Sequence, residues 1–87
     1  MQVKKAKVED LRYYPGNPRR MEERMLEKLK DSITKFGIVQ PLVVNNKNQV
    51  IGGNQRLRAL RELSIKEVDI IHVKLTEEDE KALNLAL

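Results

Sequence analysis

The sequence predicts an α+β domain, a small mixed β-sheet flanked by helices, and three patterns point to it. Apolar residues recur at spacings of three and four through residues 22–36 and again through 54–63, as on one face of an amphipathic helix. Short β-branched runs at 3–8, 38–44, 49–51 and 68–75 alternate with those segments and are closed by turn-forming residues. The chain has 87 residues, enough for one hydrophobic core shared by every element and too few for two. Residues 1–87 therefore read as a single domain.

In chain order, residues 3–8 interleave valines with lysines, the pattern of an edge strand whose charges face water. The cluster Tyr13-Tyr14-Pro15-Gly16-Asn17-Pro18 then breaks the chain. A helix over 22–36 follows, with Leu26, Leu29, Ile33 and Phe36 as its apolar face. Glu22 and Glu23 sit at its positive end, and Gly37 caps it. The run 38–44 and the segment 49–51 form a hairpin around Asn45-Asn46-Lys47-Asn48, with Pro41 placed where it costs no ladder bond. Leu57, Ala59, Leu60 and Leu63 form the buried face of a short helix that starts directly after a glycine pair and leaves Arg58 and Glu62 in water. Residues 68–75 are β-rich enough for a central strand. Thr76 opens a capping box with Asp79, after which Ala82, Leu83, Ala86 and Leu87 begin another apolar face. That pattern stops without a cap, which predicts that the chain is a piece of a longer protein.

Composition narrows the function. Apolar residues make up 40% and charged residues 34%, with no uncharged run long enough for a membrane span, so a soluble module is expected. The chain has no cysteine, hence no disulfide framework and no thiolate nucleophile. Its one histidine, His72, cannot build a histidine metal site alone, and no metal site is expected. The amino terminus lacks the apolar stretch of a secretion signal, so the default location is cytoplasmic. The net charge of +4 suits an anionic partner. It is unevenly spread: Arg56, Arg58 and Arg61 follow the glycine pair with no acid among them up to Arg61, whereas Glu77, Glu78, Asp79 and Glu80 adjoin near the end.

Chemistry concentrates at Gly52-Gly53-Asn54-Gln55-Arg56. Glycines let an anion approach backbone N–H groups, and the first turn of a helix presents such groups at the positive end of its dipole. A phosphate binds there by geometry alone. Arg56 adds a planar fork for two oxygens, and Asn54 and Gln55 add neutral donors. Two glycines and a solvated arginine would also make an ordinary tight turn. Arg19 and Arg20 precede the first helix, and Arg19 adds a charge to the same anion if its loop folds back. Gln40 stands at the mouth of a strand beside the site and can offer its side-chain amide. Arg20 and Arg58 are candidate contacts to nucleic acid.

Three boxes, Asn17-Pro18-Arg19, Ser32-Ile33 with Phe36-Gly37-Ile38-Val39-Gln40-Pro41-Leu42, and Gly52-Gly53-Asn54-Gln55-Arg56-Leu57-Arg58-Ala59, stand in an order and spacing that resembles the amino-terminal domain shared by ParB partition proteins and sulfiredoxins. The version fused to phage and bacterial DNA-modification methyltransferases is the most similar. The resemblance implies a ParB/sulfiredoxin-like fold and a site for CTP or ATP with Mg2+, in which Gly52, Gly53, Asn54, Gln55, Arg56, Arg19 and Gln40 hold the nucleotide. It also implies DNA as a partner, further domains downstream and a possible homodimer. ParB proteins usually carry Glu-Arg-Arg where Asn54-Gln55-Arg56 stands, which counts against CTP hydrolysis. Sulfiredoxins carry a cysteine and a histidine at Asn54 and Gln55, so their activity requires a thiol this chain lacks.

Two other classes compete. A metal-dependent DNase needs converging carboxylates, and Glu9, Asp10, Glu22, Glu23 and Asp69 fall in no spacing that builds such a centre. A non-catalytic structural or dimerising domain would bind no nucleotide. Tyr13 and Tyr14 could stack on a base, although tyrosines beside a Pro-Gly turn more often pack locally. Both long helical patterns are followed by strands, so no helix-turn-helix pair is expected.

Overall fold

The computed structural model describes residues 2–16 and 22–87. Its strands are β1 (Val3–Lys7), β2 (Arg12–Tyr13), β3 (Leu42–Val44), β4 (Gln49–Gly52) and β5 (Glu67–His72), and its α-helices are α1 (Glu23–Phe36), α2 (Asn54–Glu62) and α3 (Glu77–Ala86). The strands make one mixed sheet in the order β1-β5-β3-β4-β2. β1 runs antiparallel to β5 with Lys5 opposite Asp69, and their side chains pair at 3.2 Å. β3 is parallel to β5 and antiparallel to β4, and β2 lies parallel to β4. The expected edge strand, long helix, hairpin and short helix are all present, and the central strand expected over 68–75 is β5, which ends at His72 and lies second in the sheet beside β1.

Helices α1 and α2 cover one face of the sheet. Leu26 and Ile33 from α1 and Leu57 and Leu60 from α2 meet Leu42, Val44, Val50, Val68 and Ile70, all buried. Fully burying an aliphatic side chain of this size contributes about 1.5–3 kcal/mol, and it acts together with the favourable helix propensity of the Glu, Lys and Arg residues around this stripe. Across the outer surface of the helix pair, Arg58 bonds Glu62 and Glu23 at 3.1 Å each, and Lys30 reaches Glu27 at 3.2 Å and Glu62 at 3.4 Å. Hydrogen bonding to Glu27 raises the Lys30 ammonium above its ordinary value.

Several details depart from the sequence reading. Phe36 is 73% exposed: it lies on the flank of α1 that also carries Met25, at the last turn, and does not reach the core. The apolar run from Ile38 does not begin as a strand. Gly37, at φ 75°, turns the chain out of α1, and Pro41 has no N–H for a ladder, so pairing starts at Leu42. Val39 is left 83% exposed. Tyr13, read as part of a turn, and Arg12, left unassigned, pair with β4. In α3 the half-buried positions are Glu80, Leu83 and Asn84, while Ala82, Ala86 and the following Leu87 are exposed. No described helix is long and apolar enough to cross a membrane.

Candidate anion site at the glycine turn

Strand β4 ends at Gly52 and passes through Gly53 into α2. Gly53 is the N-cap at φ 109°, ψ 27°, a conformation that side chains rarely adopt. Space forbids a side chain as well: a Cβ there would lie 2.5 Å from Leu42 Cδ2 and 2.9 Å from Arg56 Nη2. A Cβ on Gly52, whose φ is ordinary, would instead run into the side chain of Leu87. The two glycines thus do different things: Gly53 makes the turn, and Gly52 admits α3. Nδ2 of Asn84 on α3 donates to the Ile51 carbonyl at 2.9 Å, holding that helix against β4.

The helical ladder of α2 opens with Leu57 N–H to the Gly53 carbonyl at 2.8 Å, so the amides of Asn54, Gln55 and Arg56 form the first turn and present the positive end of the dipole. Arg56 folds back across this end. Its Nη1 donates to the Gln40 carbonyl at 2.8 Å while Nη2 lies over Gly53. Desolvation lowers the guanidinium from its usual value, though it stays charged at any physiological pH. Among the described residues its partner is a neutral carbonyl, and the helix end beneath it is also positive. A cation placed there lacks a counter-charge, and an oxyanion would supply one.

The expected site residues are thus partly assembled. Gly52, Gly53, Asn54, Gln55, Arg56 and Gln40 come together, with Gln55 half-buried at the second helical position. Two roles differ from expectation. Gln40 meets Arg56 through its backbone carbonyl, since the chain turns outward at Val39 and Gln40 before Pro41. The Asn54 side chain, expected as a donor to the anion, is buried and spent internally. Its Oδ1 accepts the Tyr14 N–H at 3.1 Å and its Nδ2 donates to the Val50 carbonyl at 2.8 Å. What Asn54 offers an anion is its backbone N–H. Arg58 is held in ion pairs with Glu23 and Glu62 on the outer surface of the helix pair. Arg19 and Arg20 lie outside the described residues.

Sequence reading missed three members of this neighbourhood: Leu42 as the floor under Gly53, Asn84 as the tie to α3, and Tyr14. Tyr14 is buried, and desolvation, with Glu80 and Glu77 nearby, raises its phenol above the ordinary value. Tyr13 is capped by Arg61, whose guanidinium stands 4.8 Å over its ring and also bonds the Leu11 carbonyl. Local packing is therefore what both tyrosines do here. Among the described residues no group of three or more His, Cys, Asp or Glu side chains is placed to hold a metal ion.

Fold and turn together define an α+β domain built around a strand–glycine–helix passage of the geometry that accepts an oxyanion. The whole chain, residues 1–87, matches the ParB N-terminal domain, and the chain belongs to that family. It is 40% identical over 72 residues to the probable chromosome-partitioning protein ParB of Campylobacter jejuni, an overlap covering 72% of this chain and 26% of that protein. It is similar to the C-terminally truncated chromosome-partitioning ParB of Caulobacter crescentus in two complexes. With CTP-gamma-S the TM-score is 0.89 at 28% identity, covering 98% of this chain and 51% of that one. With the centromeric parS site the TM-score is 0.78 at 27% identity, covering 94% and 44%. Sulfiredoxin from Arabidopsis thaliana shares the fold, with a TM-score of 0.77 at 21% identity over the full length of both chains. The chain thus spans about a quarter of the Campylobacter protein and about half of the Caulobacter chain.

Proposed function

We propose that this domain binds the phosphates of a nucleoside triphosphate, CTP or ATP carried with Mg2+, at the start of α2, as a module of a larger DNA-associated protein. The observation that carries the reading is the Arg56 guanidinium, partly desolvated, bonded to a neutral carbonyl and folded over the positive end of a helix behind a glycine that a Cβ would fill. The residues present fit a phosphate: Gly53 keeps the approach open, the first-turn amides point at the oxygens, and Arg56 exchanges the Gln40 carbonyl for a charged acceptor, which makes a stronger bond. Mg2+ would come on the phosphates themselves. Arg19 and Gln55 are proposed as further phosphate ligands.

Support for the nucleotide class comes from the Caulobacter ParB, determined with CTP-gamma-S. Support for a DNA setting comes from the same protein bound to parS. Partition is favoured over DNA modification, because the relatives described above are partition proteins. In that setting the domain works in the cytoplasm, joined to downstream domains and able to pair with a second copy. The DNase reading finds no converging ligand set among the described residues.

Titration calorimetry with CTP, ATP and GTP, each with and without Mg2+, tests the proposal. Binding by the unchanged domain that is lost in Arg56→Ala and only partly kept in Arg56→Lys, which cannot make the two-oxygen fork, is the expected result. No binding heat from the unchanged domain would refute it and favour a structural or dimerising role, and equal binding heats from the unchanged domain and Arg56→Ala would refute the part assigned to Arg56. Plasmid cleavage that disappears with EDTA would instead favour the DNase.

A further inference from the structure

Asn54 is the most deeply buried polar side chain at the glycine turn, 8% exposed, and its amide joins three elements. Its oxygen takes the N–H of Tyr14, just past β2, and its nitrogen serves the Val50 carbonyl on β4, while its own backbone begins α2. The chemistry of the two partners fixes the orientation, because an N–H must meet oxygen and a carbonyl must meet a donor. A side chain of this length therefore has to accept at one atom and donate at the other.

Resting on the anion-binding reading, we propose that Asn54 is a positioning residue for that site and that, where ParB proteins usually carry the longer glutamate, this chain's pairing with the Tyr14 N–H and the Val50 carbonyl demands a neutral amide. Held at both ends of its side chain, the residue cannot rotate, so the first amide of α2 stays aimed at the oxyanion and the turn stays packed under Arg56. A carboxylate would keep the Tyr14 bond and face the Val50 carbonyl with a lone pair. An aliphatic side chain would leave both partners unsatisfied.

The test measures Kd for Mg2+-CTP and for tripolyphosphate. Asn54→Leu carries no charge and is expected to weaken both about tenfold, about 1.4 kcal/mol by the usual conversion. Asn54→Asp is expected to weaken both at pH 7.5 and to recover as pH falls through the carboxyl range near about 4, where the protonated acid again accepts and donates. The Tyr14 phenol, Glu77 and Glu80 of α3 and Arg56 of α2 are common to both proteins, so comparing the variant with the unchanged domain at each pH removes their titration and that of the ligand. Leu binding like the original, or Asp failing to recover, overturns the proposal. If Asn54→Leu does not fold, exchange protection of the Asn54 carboxamide and the Tyr14 N–H in the unchanged domain decides: at least a tenfold gain with ligand supports positioning, and no gain overturns it. Failure of the unchanged domain to bind either probe would instead sink the anion-binding reading beneath it.

Discussion

Replacing Gly53 by alanine tests the turn that the whole site depends on. At φ 109° the residue lies outside the regions open to side chains, and a left-handed conformation costs an L-residue about 1–2 kcal/mol. The added methyl would also stand 2.5 Å from Leu42 Cδ2, and Leu42 is wholly buried against the sheet and cannot yield cheaply. Overpacking of that kind costs about 1–3 kcal/mol, so the sum is roughly 2–5 kcal/mol. A small domain has a total stability nearer the lower end of about 5–15 kcal/mol, so the loss is a large part of it. Urea unfolding followed by circular dichroism should show the midpoint falling by more than about 1 M with an unchanged slope. Gly52→Ala is the internal control. Its φ is ordinary and its Cβ meets only the exposed side chain of the last residue, Leu87, so its cost should stay under about 1 kcal/mol. If the two variants unfold at the same denaturant concentration, the assignment of the turn to Gly53 is wrong.

Leu57→Ala removes a fully buried side chain from the interface of α2 with the sheet and should cost about 2–5 kcal/mol in the same unfolding assay. Arg58→Ala should lower the thermal midpoint slightly at low ionic strength and leave it unchanged in molar salt, since its bonds to Glu23 and Glu62 are screened surface ion pairs; a salt-independent loss would contradict that role. Because burial raises the Tyr14 phenol, its stabilising effect is complete below the unfolded value near pH 10 and is lost as pH rises through the higher folded value. Tyr14→Phe should therefore flatten the stability profile above pH 10, which denaturation at pH 9 to 11 would reveal.

Residues 22–36 and 54–63 announced their helices because two amphipathic stripes are encoded by spacing, and spacing needs no partner to be read. The hairpin around Asn45 was equally legible, since its turn is made by its own side chain: Asn45 Oδ1 accepts the N–H groups of Lys47 and Gln49 at 2.9 Å each. The glycine turn and its arginine were visible for the same local reason, and the family resemblance placed Gln40 beside them. Strand β2 was not legible, because two residues carry no period and pair only when β4 lies alongside. The exposure of Phe36 depends on which flank of α1 is turned to the core. The use of Asn54 as an internal clamp depends on Tyr14, 40 residues earlier in the chain. Sequence by itself determined the helices and every strand but β2, and pointed to the glycine turn as the place where an anion could approach backbone. Only the tertiary structure decided which polar atoms remain for that anion, because hydrogen-bond partners distant in the chain are chosen by packing and not by spacing.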